Sequence, residues 1–347
     1  MYKIAIAGAS SLLGRELKDA LSESPLAAAN FVLLDDEQAK GQLDQVGDEV
    51  TFVQGIEVDS FERVDFTFFA GSEDLTRRHW REALRAGSTV LDLTGALDRE
   101  PGVLVRAPWL GFDGQGPVAA TADLFTPAVV PAHPAALALA LLLERLQQAA
   151  TVHFAAATLL EPASDFGRAA MDELHQQTVS LLSFQGMPRA IYDTQAAYNL
   201  LGGLGESAKT SLIDVEARVR RHYDALSGGR WPALLLQVIH APVFHGHTFS
   251  IAIELERPVE ITALEEALGG DHVDLVLEDT DSPSNLAATG QNDVLVRLRP
   301  DTASSRNPNL ASRLWLWAAS DNLRLHAQNA VECALDLRRL RPAGTVQ

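Results

Sequence analysis

Three histidines crowd one short stretch of this chain: His240, His245 and His247. Imidazole changes charge near neutral pH, so such a group suits proton transfer or metal binding. Residues 245 and 247 would share one face of a strand, where side chains alternate. No cysteine or carboxylate set at a known ligand spacing accompanies them, so no metal centre is expected, and hydrogen-bonded strand histidines fit better. A second candidate is Gly8-Ala9-Ser10-Ser11-Leu12-Leu13-Gly14, directly after an apolar run at residues 2–7. Glycines at both ends let backbone N–H groups and a helix N-terminus approach a pyrophosphate. The same pattern also serves as a glycine-capped turn in any parallel sheet. Acids follow at Asp35 and Asp36, where a second strand would end. There they would accept hydrogen bonds from a free ribose 2′-hydroxyl and repel a 2′-phosphate, favouring NAD over NADP. A solvated acidic loop is the competing account. The third candidate is a helix entry, His133-Pro134-Ala135-Ala136. A helix N-terminus is a place where a thiolate is activated, but the single cysteine is Cys333, far along the chain.

The elements that must hold these residues follow from periodicity. Residues 2–7, 31–34, 64–70 and 89–93 are apolar runs that predict buried strands, and residues 13–22 and 75–86 have helical spacing. Shorter extended pieces are expected at 49–53 and 57–58. Strand–helix alternation with near-continuous apolar strands predicts a doubly wound parallel sheet. The character changes after Pro127. Helices are expected at 135–148, 166–183 and 207–223, and strands at 151–160, 234–243, 248–255, 293–299 and 314–319. Several of these alternate like antiparallel strands covered on one face. A last helix, 321–340, has the length to dock on the first domain. The expected division is 1–126, 127–320 and a C-terminal helix at 321–347.

Composition narrows the partners. The 347 residues carry 28 basic and 46 acidic side chains, a formal charge of -18, which argues against nucleic acid or an anionic membrane surface. Hydrophobic residues make up 47%, enough for well-buried cores. One cysteine excludes an intramolecular disulfide framework. The start lacks the apolar core of a signal peptide, and no segment is apolar for long enough to cross a membrane. A cytoplasmic location is expected.

Several segments together resemble the aspartate-semialdehyde dehydrogenase family: residues 3–10, 64–72, 158–174, 240–247, 285–301 and 321–324. The resemblance covers nearly the whole chain. It implies an N-terminal Rossmann doubly wound parallel sheet plus a C-terminal α+β domain that carries catalysis and dimerisation. Members reduce aspartyl phosphate to aspartate semialdehyde with NADPH, through a cysteine thioester and a histidine acid/base. The resemblance places dinucleotide contacts at Gly8, Ser10, Ser11, Leu12, Gly14, Asp35, Gly71, Ser164 and Asn322.

Residue by residue, the chemistry departs from that pattern. The nucleophile position falls on Pro134, which is comfortable in a first helical turn but carries no nucleophile. The acid/base falls on His247. The substrate arginine is His240, the family's glutamine is Glu161, and the substrate glutamate is matched by Glu216 with Leu212 in place of a lysine. A glycine beside the nicotinamide is Asp165, and a phosphate arginine falls at Asp98. The resemblance is thus to Usg-type paralogues that lack the cysteine. It implies a catalytically degenerate protein that binds NAD, NADP or no cofactor and works as a homodimer or beside an active paralogue. The rival expectation is an active NAD(P)-dependent oxidoreductase of altered chemistry, with His247 as acid/base.

Overall fold

The computed structural model describes residues 1–36, 39–47, 49–57, 59–110, 122–123, 125–277, 280–301 and 307–340. The chain divides into two units, Met1–Ala132 with His326–Gln347, and His133–Leu325. The border at Ala132–His133 lies beyond the 126/127 change of character, because the strand before the helix entry still belongs to the first sheet.

In the first unit β1 (Lys3–Ala7) leads into α1 (Leu12–Ser22) and β2 (Asn30–Asp35). A small hairpin of β3 (Leu43–Val46) and β4 (Glu49–Phe52) precedes β5 (Gln54–Gly55). Then come β6 (Phe66–Phe69), α2 (Glu73–Arg85), β7 (Thr89–Asp92), β8 (Leu104–Arg106) and β9 (Val129–Pro131). Seven strands form one parallel sheet in the order β5-β2-β1-β6-β7-β9-β8. The expected piece at 57–58 is not a strand at residue 57, and residue 58 lies outside the described residues; the edge is instead the two-residue β5. Strands β8 and β9 are too short to show a period in the sequence.

The strands are apolar throughout because both faces of the sheet are covered. Ile4 and Ile6 face one core with Leu17 and Leu21 of α1. Ala5 and Ala7 face the other with Leu75, Trp80 and Ala83 of α2. The last helix, α8 (Asn322–Leu337), adds Ala327, Ala330, Val331 and Ala334 to the first core. Cys333 lies in that core, fully buried, and burial pushes its thiol well above the ordinary value.

The second unit begins with α3 (Pro134–Ala149) and β10 (Val152–Glu161). A 3-10 turn, Ala163–Phe166, links β10 to α4 (Arg168–Leu182); α5 (Leu212–Ser227) and β11 (Leu234–His240) follow. The remainder is β12 (His247–Glu260), α6 (Ile261–Leu268), β13 (Val273–Leu275), α7 (Asn285–Ala288), β14 (Val294–Pro300) and β15 (Leu310–Ser320). Helix α5 starts later than the predicted 207, with Ser211 as its N-cap and Gly228 in the left-handed region at its end.

A six-stranded mixed sheet runs β11-β10-β12-β15-β14-β13, antiparallel along β10-β12-β15-β14 and parallel at both edges. Helices α3, α5 and α6 pack on one face. Helix α3 is apolar nearly all round, as a helix between a sheet and other helices must be. The opposite face leaves Phe154, Leu235, Trp315 and Trp317 exposed. Beyond α4, buried polar groups fasten the long connection to α5. The Glu173 carboxylate accepts from the Ile191 and Tyr192 amides, and the Gln177 carbonyl oxygen accepts from those of Ala196 and Ala197.

Candidate functional site

Strand parity builds the site. On β10 the residues Ala155, Ala157, Leu159 and Glu161 point to the helix-covered face. On β11 the inward set ends at His240, and on β12 it begins at His247. Glu161 pairs with His240, Leu160 pairs with Thr248, and His247 pairs with Ser320. The ladder therefore lines up His240, Glu161, His247 and Ser320 across four neighbouring strands on one buried face. Polar side chains there cost free energy unless they find partners.

Partners come from the turns around the row. The 3-10 turn after β10 carries Asp165, whose carboxylate lies 2.6 Å from His247 Nε2. Glu161 lies 3.4 Å from the same nitrogen. Asn322, at the start of α8, donates from Nδ2 to Asp165 and to Ser164 Oγ at 2.9 Å. Its Oδ1 accepts the Gly246 amide at 2.9 Å, which fixes the turn before β12. His133 caps α3 by accepting from the Ala135 amide, and its ring stacks on that of His247 with centroids 5.9 Å apart. The backbone N–H of His133 donates to Nδ1 of the buried His222 at 2.9 Å. Pro134 occupies the first position of α3, where its missing N–H removes no helical bond.

The charges are set by burial and by this pairing. Burial alone opposes a charge on His247. The Asp165 carboxylate overrides it, Glu161 adds to the effect, and the imidazole is held protonated with its pKa pushed up to about 10. Burial opposes the charge on Asp165 as well, but His247 holds its carboxyl well below the usual range, with help from His133. Glu161 moves the other way: burial first, then repulsion from Asp165, raise it to about 8. His240 lies against Tyr192, with ring centroids 4.8 Å apart, and burial lowers its pKa to about 4. An imidazolium engaged by a carboxylate can donate a proton but has no lone pair with which to accept one.

The structure thus gathers Glu161, His240, His247, Ser164 and Asn322 in one unit, with Pro134 in the chain next to His133. Glu216 is half-buried on α5 and joins no hydrogen bond or ion pair of this cluster. The expectation that 245 and 247 share a strand face does not hold: β12 starts at His247, and Gly246 before it has φ of +86°. His245 belongs to the turn. Sequence alone marks His133 only as part of the helix entry and does not mark it or Asp165 as a partner of His247. Asp165 appeared only as a departure from a family glycine, and the signal that could have found it is its place just beyond the inward residue Glu161.

The other candidate set lies in the first unit. Gly8 follows β1 between β2 and β6, where the strand order reverses direction. Its φ is +92°, and a Cβ there would stand 2.2 Å from the Gly71 Cα, so two glycines let β1 and β6 close at this point. A Cβ on Gly14 would meet the Gly8 carbonyl oxygen at 2.3 Å, which seats α1 tightly on the turn. Ser11 caps α1 by accepting from the Gly14 amide at 2.8 Å and donates to the Ala70 carbonyl at 2.7 Å. Leu12 opens the helix. Asp35 ends β2, and its carboxylate accepts from the Ser10 amide at 2.8 Å and the Ser10 hydroxyl at 2.5 Å. These are the parts of a dinucleotide-binding turn, at the switch point where such turns bind.

A parallel sheet with that turn and a mixed-sheet unit with a buried histidine–carboxylate cluster give the chain a two-unit scaffold of the dinucleotide-binding type. Residues 3–137 match the model of the semialdehyde dehydrogenase NAD binding domain, and residues 143–325 that of the semialdehyde dehydrogenase dimerisation domain. The chain belongs to the semialdehyde dehydrogenase family. A USG-1 protein homolog of Azotobacter vinelandii is 30% identical over 340 residues, covering 95% of this chain and 96% of that protein. An aspartate-semialdehyde dehydrogenase of Rickettsia bellii is 25% identical over 343 residues, covering 97% of each. The structure of a probable aspartate-semialdehyde dehydrogenase from Pseudomonas aeruginosa matches with a TM-score of 0.83 and 27% identity, over 97% of this chain and 98% of that one. Among the described residues, no helix is long and apolar enough to cross a membrane.

Proposed function

We propose that this chain is a catalytically degenerate member of its family, acting through binding or assembly rather than by acyl-phosphate reduction. The observation that carries this reading is the capture of His247 Nε2 by Asp165 at 2.6 Å, at the position the resemblance assigns to the acid/base. Pro134 supports it, because the position assigned to the nucleophile offers no atom for a covalent intermediate. Loss of such a nucleophile costs on the order of 10⁶ in rate in a well-studied hydrolase. His240, buried and neutral, stands where an arginine fork would bind a carboxylate. Cys333 is no substitute, being sealed in the core of the other unit.

The dinucleotide turn is kept, and Gly8, Ser10, Ser11, Leu12 and Gly14 fit a pyrophosphate at the start of α1. A bound nicotinamide dinucleotide would supply hydride chemistry. Asp35 favours NAD over NADP, although Ser10 already shares its carboxylate. The exposed Trp315 and Trp317 face supports assembly as a homodimer through the second unit. The test is an assay of the purified protein with aspartate semialdehyde, phosphate and NAD⁺ or NADP⁺. No turnover is expected, with NADH quenching the tryptophan fluorescence. Turnover at ordinary family rates would refute degeneracy.

One observation favours a second reading. Asp165 holds Nε2 of the His247 imidazolium and leaves Nδ1 buried with no hydrogen-bond partner among the described residues, so that Nδ1–H is the proton the ring has to give. An altered NAD(P)-dependent oxidoreductase could use His247 this way without a covalent step. Reduction of aldehydes that is lost in His247→Gln would select it.

A further inference from the structure

We propose that His133, Glu161 and Asp165 form a binding site for a first-row divalent metal ion. The inference is independent of whether the site turns over substrate. One donor atom from each of the three residues lies within 4.8 Å of the others. Three ligands in tetrahedral array at about 2.1 Å from one ion stand about 3.4 Å apart, so the widest pair of these donors closes by at most about 1.4 Å on binding.

A second observation points to a ligand. The Glu161 side chain is fully buried, neither carboxylate oxygen makes a hydrogen bond, and the nearest opposite charge is His247 Nε2 at 3.4 Å. A buried carboxyl left in this state is costly, and its oxygens face the cluster. Asp165 already engages His247 at 2.6 Å, so one imidazole is shared between two carboxylates. A dication would displace the Glu161 proton and take an oxygen from each carboxyl group.

The donors also select the metal. Imidazole nitrogen beside carboxylate oxygen suits zinc, iron, cobalt or nickel, whereas all-oxygen sets suit magnesium and calcium. No sulfur is present for a soft ion, since the one cysteine lies in the other unit. The three lie at the start of α3, the end of β10 and a 3-10 turn, and metal binding takes the His133 lone pair that otherwise accepts from the Ala135 amide at 3.3 Å. This set differs from the three-histidine grouping in the sequence, because His245 lies in a turn and Asp165 takes part.

Co²⁺ titrated into the full-length, metal-stripped protein tests the site. Visible d–d absorption that saturates at one equivalent is expected, and Zn²⁺ should abolish it. Glu161→Gln, which keeps the side-chain shape, should weaken Co²⁺ binding on the order of 100-fold or more, given that even outer-sphere changes cost 10–100-fold. His133→Ala should do the same from another element, while Glu254→Gln, half-buried on β12 and paired with Arg313 away from the cluster, should bind like the wild type. Absence of d–d absorption in the wild type at excess Co²⁺ would overturn the proposal. So would unchanged binding in Glu161→Gln or, should that variant misfold, in His133→Ala.

Discussion

Asp165 and His247 show how one side chain can redirect a site. A carboxylate 2.6 Å from Nε2 raises the proton affinity of an imidazole that burial alone would lower. Breaking such a pair strands a charge inside the protein, so Asp165→Asn should cost about 3–5 kcal/mol of stability in urea denaturation. A loss of less than about 1 kcal/mol would place the pair in the class of weak surface bridges. His240 gives the opposite case. Its pKa falls from 6.5 to about 4 on folding, so below 6.5 the unfolded chain takes up a proton that the folded chain refuses. The stability this group contributes is present above pH 6.5 and is lost as pH falls toward 4. His240→Leu should therefore flatten the acid limb of stability between those values, measured by denaturation midpoints; an unchanged slope would contradict the assignment.

At the scale of elements, the glycine turn and the strand ends do the positioning. Gly8→Ala would force a side chain into a left-handed backbone 2.2 Å from Gly71. The conformational strain alone is about 1–3 kcal/mol, so the unfolding free energy should fall by at least that much and the denaturation midpoint with it. An unaffected midpoint would mean that β1 and β6 do not close on these glycines. This turn was legible in the sequence, since the spacing of Gly8 and Gly14 after an apolar run has few structural solutions. The buried parallel strands and α3 were equally legible from their apolar runs. The edge strands were not: β5, β8 and β13 have two or three residues each, too few for any period. The polar row was half legible. Alternation places His240, Glu161 and His247 on inward positions, but only the order of strands brings them side by side. His133 and Asp165 belong to a cap and a turn, where no period exists, and their meeting with His247 depends on tertiary packing.

At the scale of the whole molecule, the net charge of -18 repels polyanions such as nucleic acid or an anionic membrane surface. The second unit carries an outer sheet face on which Trp315, 43% exposed, shares its side with Leu235 and Phe154 on other strands. Charge at its centre should oppose self-association, so Trp315→Arg is expected to shift a dimer to monomer in light scattering after size exclusion. A dimer that persists unchanged would move the interface elsewhere. On the reading proposed above, activity is lost through several residues together: Pro134, Asp165, His240 and Leu212. The most direct test of that reading is phosphate-dependent oxidation of aspartate semialdehyde by Pro134→Cys. Restoring the thiol alone should yield no turnover above background, because His247 stays bound to Asp165 and His240 still replaces the arginine. Substantial recovered activity from that one change would contradict it.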